Sequence, residues 1–194
     1  MTKLQKDPVA PDQNAALFAI RAERSSDVDA RDTLLDACFG SNRHARPCQR
    51  LRDGRAPAEG LALSAVKHGK LVGTLRLWHV SAGDVPALLL GPLAVDAHCR
   101  RLGIGAALVD RALAAARQRE HGAVILLGDA PYYARFGFTA AGTAALSLPG
   151  PFERDRLLGL ELRPGALHGA RGIIAPAGTP AAKARASRPA SRAA

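Results

Sequence analysis

Arg100 and Arg101, followed after Leu102 by Gly103, Ile104, Gly105 and Ala106, are spaced to hold an anion. The two glycines keep side chains clear of the backbone. An amphipathic run starts at once, with Ile104, Leu108, Val109, Leu113 and Ala116 at helical spacing. The first amides of a helix have no partner inside it, and its dipole favours negative charge there. With two arginines beside it, this corner suits a phosphate. The same residues would also make a plain turn with its arginines in water. Other phosphate motifs fit worse. The P-loop ending in Gly-Lys-Ser/Thr is absent, and Leu108 stands where a dinucleotide fingerprint needs its third glycine or alanine.

A second stretch, GDAPYYARFGF over 128–138, holds Tyr132, Tyr133, Phe136 and Phe138, half of the chain's aromatic residues. Asp129 and Pro131 signal the start of a short helix. A tyrosine with an ordinary pKa of about 10 keeps its proton at neutral pH and so remains a hydrogen-bond donor. It would serve equally as a core ring whose hydroxyl caps a carbonyl.

Elements must hold these two stretches in place. Residues 17–22 read as a strand. Ser26 is an N-cap for a helix to about Cys38, and Gly40 is its stop. Residues 45–53 allow a second short helix, with Pro47 in its first turn. Strand-like runs over 61–66 and 71–80 are joined by Lys67-His68-Gly69-Lys70, a hairpin signal. In the second run, Leu71, Leu75 and Leu77 fall on one face and Val72, Thr74, Arg76 and Trp78 on the other. Residues 87–95 are apolar enough for burial on both faces, and Pro92 predicts a bulge or an unpaired side. A helix over 103–120, with Gly122 after it, and a short strand over 123–127 complete a parallel strand–helix–strand unit. Two further strand-like runs lie near 138–148 and 157–162. The chain reads as α/β with a mixed sheet.

The chain has 194 residues, 47% hydrophobic and 23% charged, which is globular rather than disordered. Residues 1–16 form a polar arm, and the domain spans 17–174. From 175 the chain runs APAGTPAAKARASRPASRAA, with four basic residues and no acidic one. This composition predicts a disordered basic tail over 175–194, whose deletion leaves the melting temperature nearly unchanged. The net charge of +10 favours an anionic partner. No helix-turn-helix, zinc or RNP pattern points to specific nucleic-acid binding. The most apolar stretch, 85–95, is interrupted by Pro86, Gly91 and Pro92 and falls short of the roughly 20 residues of a membrane span. The N-terminus has no apolar run of the secretory kind. Three widely spaced cysteines and unclustered histidines give neither a disulfide framework nor a metal site, and a cytoplasmic home is expected.

Arg100, Gly103 and Gly105 fill the defined positions of the Arg/Gln-x-x-Gly-x-Gly/Ala signature of the GNAT superfamily of acetyl-CoA-dependent N-acetyltransferases. Residues 133–138 resemble the Tyr-x-x-x-Gly-Phe element that follows in the same family. The resemblance covers about 17–162, and the segments LLLGPLAV and GDAPYYARFGF resemble its YhbS-like branch. It implies the GNAT fold: a mixed, mostly antiparallel sheet around a central parallel βαβ cofactor-binding unit. It implies that the pantetheine arm of acetyl-CoA lies along Leu93, Ala94 and Val95, where the fourth and fifth strands splay. The pyrophosphate would rest on the loop of Arg100, Arg101, Leu102, Gly103, Ile104, Gly105 and Ala106. Tyr133 would protonate the departing thiolate, and an N–H at Leu93 or Val95 would stabilise the oxyanion.

The implied activity is transfer of an acetyl group from acetyl-CoA to a primary amine by direct attack. The alternative is an acyl-CoA-binding sensor or regulatory module without turnover. Arg101 stands where a glycine is common, and Leu102 where a polar residue is frequent, which bears on affinity more than on fold. Asp96, His98 and His79 read as surface residues rather than as a general base. Trp78 reads as core, Cys99 as a passive thiol, and Arg111, Arg117 and Arg119 as solvated. Acceptor pockets in this family come from the first helices and variable loops, here about 38–57 and 81–86. They carry no motif that names the acceptor, a small molecule or a peptide. Homodimers are common in the family.

Overall fold

The computed structural model describes residues 17–181, so the arm over 1–16 and the basic stretch 182–194 lie outside the described residues. Strand β1 (Ala19–Ala22) leads through a 3-10 turn (Ser25–Asp27) into α1 (Val28–Phe39). The helix starts after Asp27 rather than after Ser26. The Asp27 carboxylate turns back to accept the Arg24 N–H at 2.8 Å, and this tightens the chain into the 3-10 turn first. Gly40 ends α1 as expected, and α2 (Pro47–Arg50) has Pro47 in its first turn.

The sheet follows: β2 (Ala62–Lys67), β3 (Lys70–Ala82), β4 (Val85–Val95), then α3 (Ile104–Gln118), β5 (Ala123–Leu127) and α4 (Ala130–Ala134). The last strands are β6 (Leu146–Ser147), β7 (Leu157–Glu161) and β8 (Gly172–Pro176). The order is β1-β2-β3-β4-β5-β7, antiparallel throughout except for the parallel β4–β5 pair.

One face of the sheet carries α3, whose Ile104, Leu108, Val109, Ala112, Leu113 and Ala116 are buried against Leu75, Leu77, Leu88 and Val124. Truncating a side chain as enclosed as Leu108 to alanine costs roughly 2–5 kcal/mol. The opposite face buries Trp78, Val80, Leu89, Ile125, Leu146 and Leu157, while α1 covers Ala94 with Leu34 and Leu35. A shielded ion cluster ties the edge together. Glu23 accepts from Arg31 and Arg76, and Asp27 from Arg21 and Ser64. The Arg21 guanidinium, foremost, holds the Asp27 carboxyl well below its ordinary pKa. That contribution to stability is present above the ordinary carboxylate pKa of about 4 and is lost as the pH falls.

Three expectations need correction. Leu71 does not share a face with Leu75 and Leu77. Ala65 pairs with Gly73 and Val66 with Leu71, so Val72 bulges out of register and every side chain beyond it changes face. Val72 therefore packs with Leu75 and Leu77 under α3, and Leu71 packs beside α1. The run over 138–148 is not one strand. It is a single bridge at Thr139, a 3-10 turn (Ala141–Thr143) and the two residues of β6.

The third correction concerns the tail. It cannot begin at 175, because Ala175 and Pro176 belong to β8. They pair with Ser81 and Val80, and Ala56 N–H donates to Thr179 O at 2.9 Å. Deleting 175–194 therefore removes packed structure. We expect a fall in melting temperature of roughly 2–4 °C for each kcal/mol lost, read by calorimetry. An unchanged melting temperature would mean that β8 contributes nothing.

Candidate active site

Pro92 disturbs β4 as its missing donor requires. Leu75 pairs with Leu93 and Leu77 with Leu90, so Gly91 and Pro92 together stand opposite Arg76, across a cis peptide bond. Trp78 is buried and pins this bulge through Nε1, which donates to Gly91 O at 2.6 Å. The parallel pairing to β5 covers only Leu88 with Val124 and Leu89 with Ile125. Beyond Leu89 the two strands part, and a gap opens between them.

Strand geometry decides which amides face that gap. Asp96 N–H donates to Val72 O on β3 at 2.9 Å. Backbone groups alternate sides along a strand, so Ala94 also turns to β3, while Leu93 and Val95 turn their N–H and C=O groups into the gap. Cys38 Sγ, 3.5 Å from Val95 O, marks that open side. Of the three β4 residues singled out from sequence, Leu93 and Val95 can offer backbone groups to a ligand. Ala94 is committed to β3 and buried.

Beside the gap lies the N-terminus of α3. Gly103 is the N-cap at φ +76°, in the left-handed region that favours glycine, and no side chain caps the helix. The amides of Ile104, Gly105 and Ala106 are thus left for a ligand, the first intrahelical bond running from Ala107 N–H to Gly103 O at 2.9 Å. The Ile104 side chain is in the core, so only its backbone can serve. Arg100, Arg101 and Gly103 are exposed, and Leu102 is half-buried. The corner is open, positive and rich in free donors, which is what a pyrophosphate requires.

Asp129 caps α4 by accepting the Tyr132 N–H at 3.1 Å, with Pro131 in the first turn. The two tyrosines then diverge, their rings edge to face with centroids 5.0 Å apart. The Tyr132 hydroxyl lies 3.0 Å from where a Cβ on Gly105 would stand, over the first turn of α3. Tyr133 packs edge to face on Phe138 and lines the cavity in the gap. Burial, followed by the neighbouring Tyr132 and Asp129, pushes its phenol up to about 12. The group therefore keeps its proton across the neutral and mildly alkaline range.

Gly128 sets the place of Tyr133. A Cβ there would stand 2.4 Å from Tyr133 Cε2. Gly128→Ala must push the ring aside. We expect turnover to fall by roughly tenfold or more, as a displacement of about 1 Å does, while circular dichroism still reports a folded chain. Full turnover would show that the ring's position is immaterial.

The cavity measures about 550 Å³ and is bounded by Leu90, Gly91, Pro92 and Leu93 of β4, by Tyr133, and by the segment from α1 to α2. That segment is the expected acceptor region 38–57. The other expected region, 81–86, lies at the far end of β4, where its Val85 and Pro86 line a different hollow with His79 and His121. Asp96 accepts the His98 N–H and caps a turn, and neither it, His98 nor His79 borders the cavity. Arg43, Arg46 and Arg52, which do border it, were not singled out. The signal available was five arginines between 43 and 55.

A mixed sheet that splays between parallel β4 and β5, with an uncapped helix N-terminus at the opening, is the GNAT fold. The sequence pattern of the Acetyltransferase (GNAT) family matches residues 28–138, more than half of the chain, and the chain belongs to that family. The uncharacterized N-acetyltransferase YhbS of Escherichia coli K12 is 29% identical over 157 residues, covering 80% of this chain and 93% of its own. The crystal structure of E. coli YhbS in complex with CoA matches with a TM-score of 0.69 at 28% identity, over 90% of this chain and 94% of that one. A GNAT family acetyltransferase from Brucella melitensis, in complex with acetyl-CoA, matches at 0.63 and 25% identity, over 81% and 94%.

Proposed function

We propose that the protein transfers an acetyl group from acetyl-CoA to a primary amine by direct attack. The observation that carries this reading is the gap itself. The Leu93 and Val95 backbone groups turn into it, the free amides of α3 lie at one end, and Tyr133 and the cavity lie at the other. When bound, acetyl-CoA supplies the activated acyl thioester. The residues fit such a molecule. Leu93 and Val95 offer strand-like pairing to its arm. Arg100, Arg101 and the amides of 103–106 offer donors to its pyrophosphate, over which the dipole of α3 is favourable.

The chain's own groups need do little. The Leu93 or Val95 N–H donates to a carbonyl oxygen on which negative charge develops. Tyr133 lines the cavity and supplies the hydroxyl. A phenol at about 12 is a weaker acid than an ordinary thiol near about 8.5. The hydroxyl therefore acts by donating a hydrogen bond as charge builds on the departing sulfur, not by surrendering its proton early. The three free thiols fit a reducing, cytoplasmic setting.

The test is a screen of CoA release over polyamines, amino acids, aminoglycosides and peptide N-termini, with the product identified by mass spectrometry. Amine-dependent release with an N-acetyl product supports the reading. Binding of acetyl-CoA without amine-dependent release would favour the sensor instead.

A further inference from the structure

The cavity's wall away from α3 carries charge that acetyl transfer by itself does not require. Arg43, Arg46, Arg52 and Arg156 all border it. Arg52 is half-buried beside the β4 bulge, its Nη1 3.9 Å from where a Cβ on Gly91 would stand. Its Nη2 donates to Gln49 Oε1 at 3.1 Å, but its Nε is shielded from water and has no partner among the described residues. Arg46 lies over the Phe39 ring at 5.0 Å.

The nearby acids are engaged elsewhere. Asp36 takes Arg43 Nε at 2.5 Å, Asp53 takes Gln49 Nε2 at 2.6 Å, Glu153 faces Arg156 at 3.3 Å, and Asp129 caps α4. Among the described residues, no carboxylate is within ion-pair distance of Arg46 or Arg52. Burial above all pushes the Arg52 guanidinium below its ordinary pKa. Arg43 and Arg46 push the same way, against the pull of Cys48 and Asp53. An anion placed among these groups would relieve that cost.

We propose that the acceptor is an amine bearing a carboxylate within a few ångströms of its nitrogen, with an α-amino acid as the simplest case, and that Arg52 and Arg46 seat the carboxylate. The inference rests on the acetyl-transfer reading and narrows it. A planar guanidinium matches a carboxylate with paired hydrogen bonds. Asp129 and Glu153, on the same cavity's lining, limit the negative charge it tolerates and favour a single carboxylate over a dianionic phosphate. Polyamines and aminoglycosides would bring more positive charge to a wall of guanidiniums. The same guanidiniums disfavour the ammonium form of a bound amine and so favour the neutral nucleophile. This answers the missing base, since among the described residues lining the cavity there is no histidine.

The experiment uses the full chain with acetyl-CoA and matched acceptors: the common L-α-amino acids, their carboxamides, the decarboxylated amines, O-phosphoethanolamine and spermidine. CoA release gives kcat and KM, and melting in the presence of CoA reads acceptor binding independently of turnover. We expect at least one amino acid to exceed its carboxamide by roughly ten- to a hundredfold in kcat/KM, the worth of a charge-assisted hydrogen bond, and to raise the melting temperature. Arg52→Gln and, on the exposed side, Arg46→Gln should each raise KM for that acid toward the carboxamide's value. The melting shift caused by acetyl-CoA should remain.

Turnover confined to carboxamides, spermidine or O-phosphoethanolamine overturns the inference and leaves acetyl transfer standing. So does an acid preference unchanged in both variants. Absence of CoA release with every amine, together with no melting shift from any amino acid, overturns both.

Discussion

Tyr133→Phe lowers turnover by roughly 10²–10³-fold, the usual worth of a donor aimed at developing charge, while acetyl-CoA still binds. The substitution removes one hydroxyl and keeps the ring that packs on Phe138, so stability changes little. The deficit should persist as the pH rises past about 8.5, the ordinary thiol value, because a hydrogen-bond donor acts for as long as it keeps its proton. In the native chain the phenol stays protonated well beyond that point. Burial raises it to about 12 by penalising the phenolate, so the group costs the fold nothing below the unfolded value of about 10 and stability falls only as the pH climbs from there through 12. Tyr132→Phe is the control. Its hydroxyl faces the first turn of α3 rather than the cavity, so turnover should drop less and cofactor affinity more. Steady-state kinetics from pH 7 to 10 on both variants decides the matter. Undiminished turnover of Tyr133→Phe, with chemistry rate-limiting, removes that tyrosine from the reaction, and a larger effect at Tyr132 reassigns the role by one residue.

Gly103→Asp abolishes the stabilisation that acetyl-CoA confers. At 100 times its dissociation constant a ligand adds about 2.7 kcal/mol. In a domain of this size that is roughly 5–10 °C of melting temperature. Aspartate tolerates the left-handed backbone at φ +76° better than most residues, so the variant should fold. It places a carboxylate against the amides that would meet the pyrophosphate, and repulsion between the two anions removes the shift. A thermal melt with and without acetyl-CoA is the measurement. A shift equal to that of the unaltered chain would locate the cofactor elsewhere.

The corner at 100–106 and the aromatic helix were legible because each is local. Two glycines at the start of a helical repeat, and an aspartate before a proline, act through neighbours in sequence. The β4 bulge was legible for the same reason, since Pro92 removes a donor wherever the strand pairs. The faces of β3 were not. The Val72 bulge depends on how β2 registers against it, and within β3 Gly73 alone hints at it without fixing the register. Strand β8 was missed because composition weighs only burial. Ile174 is enclosed but Ile173 is 64% exposed, and the strand is held largely by backbone pairing to residues about ninety positions earlier. Nothing in the sequence set Arg46 and Arg52 apart until α1 and α2 folded against β4 and placed them on one cavity. Burial of a charge is a property of the tertiary arrangement, and the sequence showed only its density.

Acetyl transfer itself is tested most directly by following a labelled acetyl group. Acetyl-CoA carrying an isotopic label in its acetyl carbonyl is incubated with the protein and an amine acceptor from the screen, and the carbonyl is read by NMR. The expected result is a new amide carbonyl on the acceptor, formed in step with free CoA, and strongly reduced in Tyr133→Phe. Label that stays on CoA, or that appears only as free acetate whether or not the amine is present, would contradict acetyl transfer to an amine.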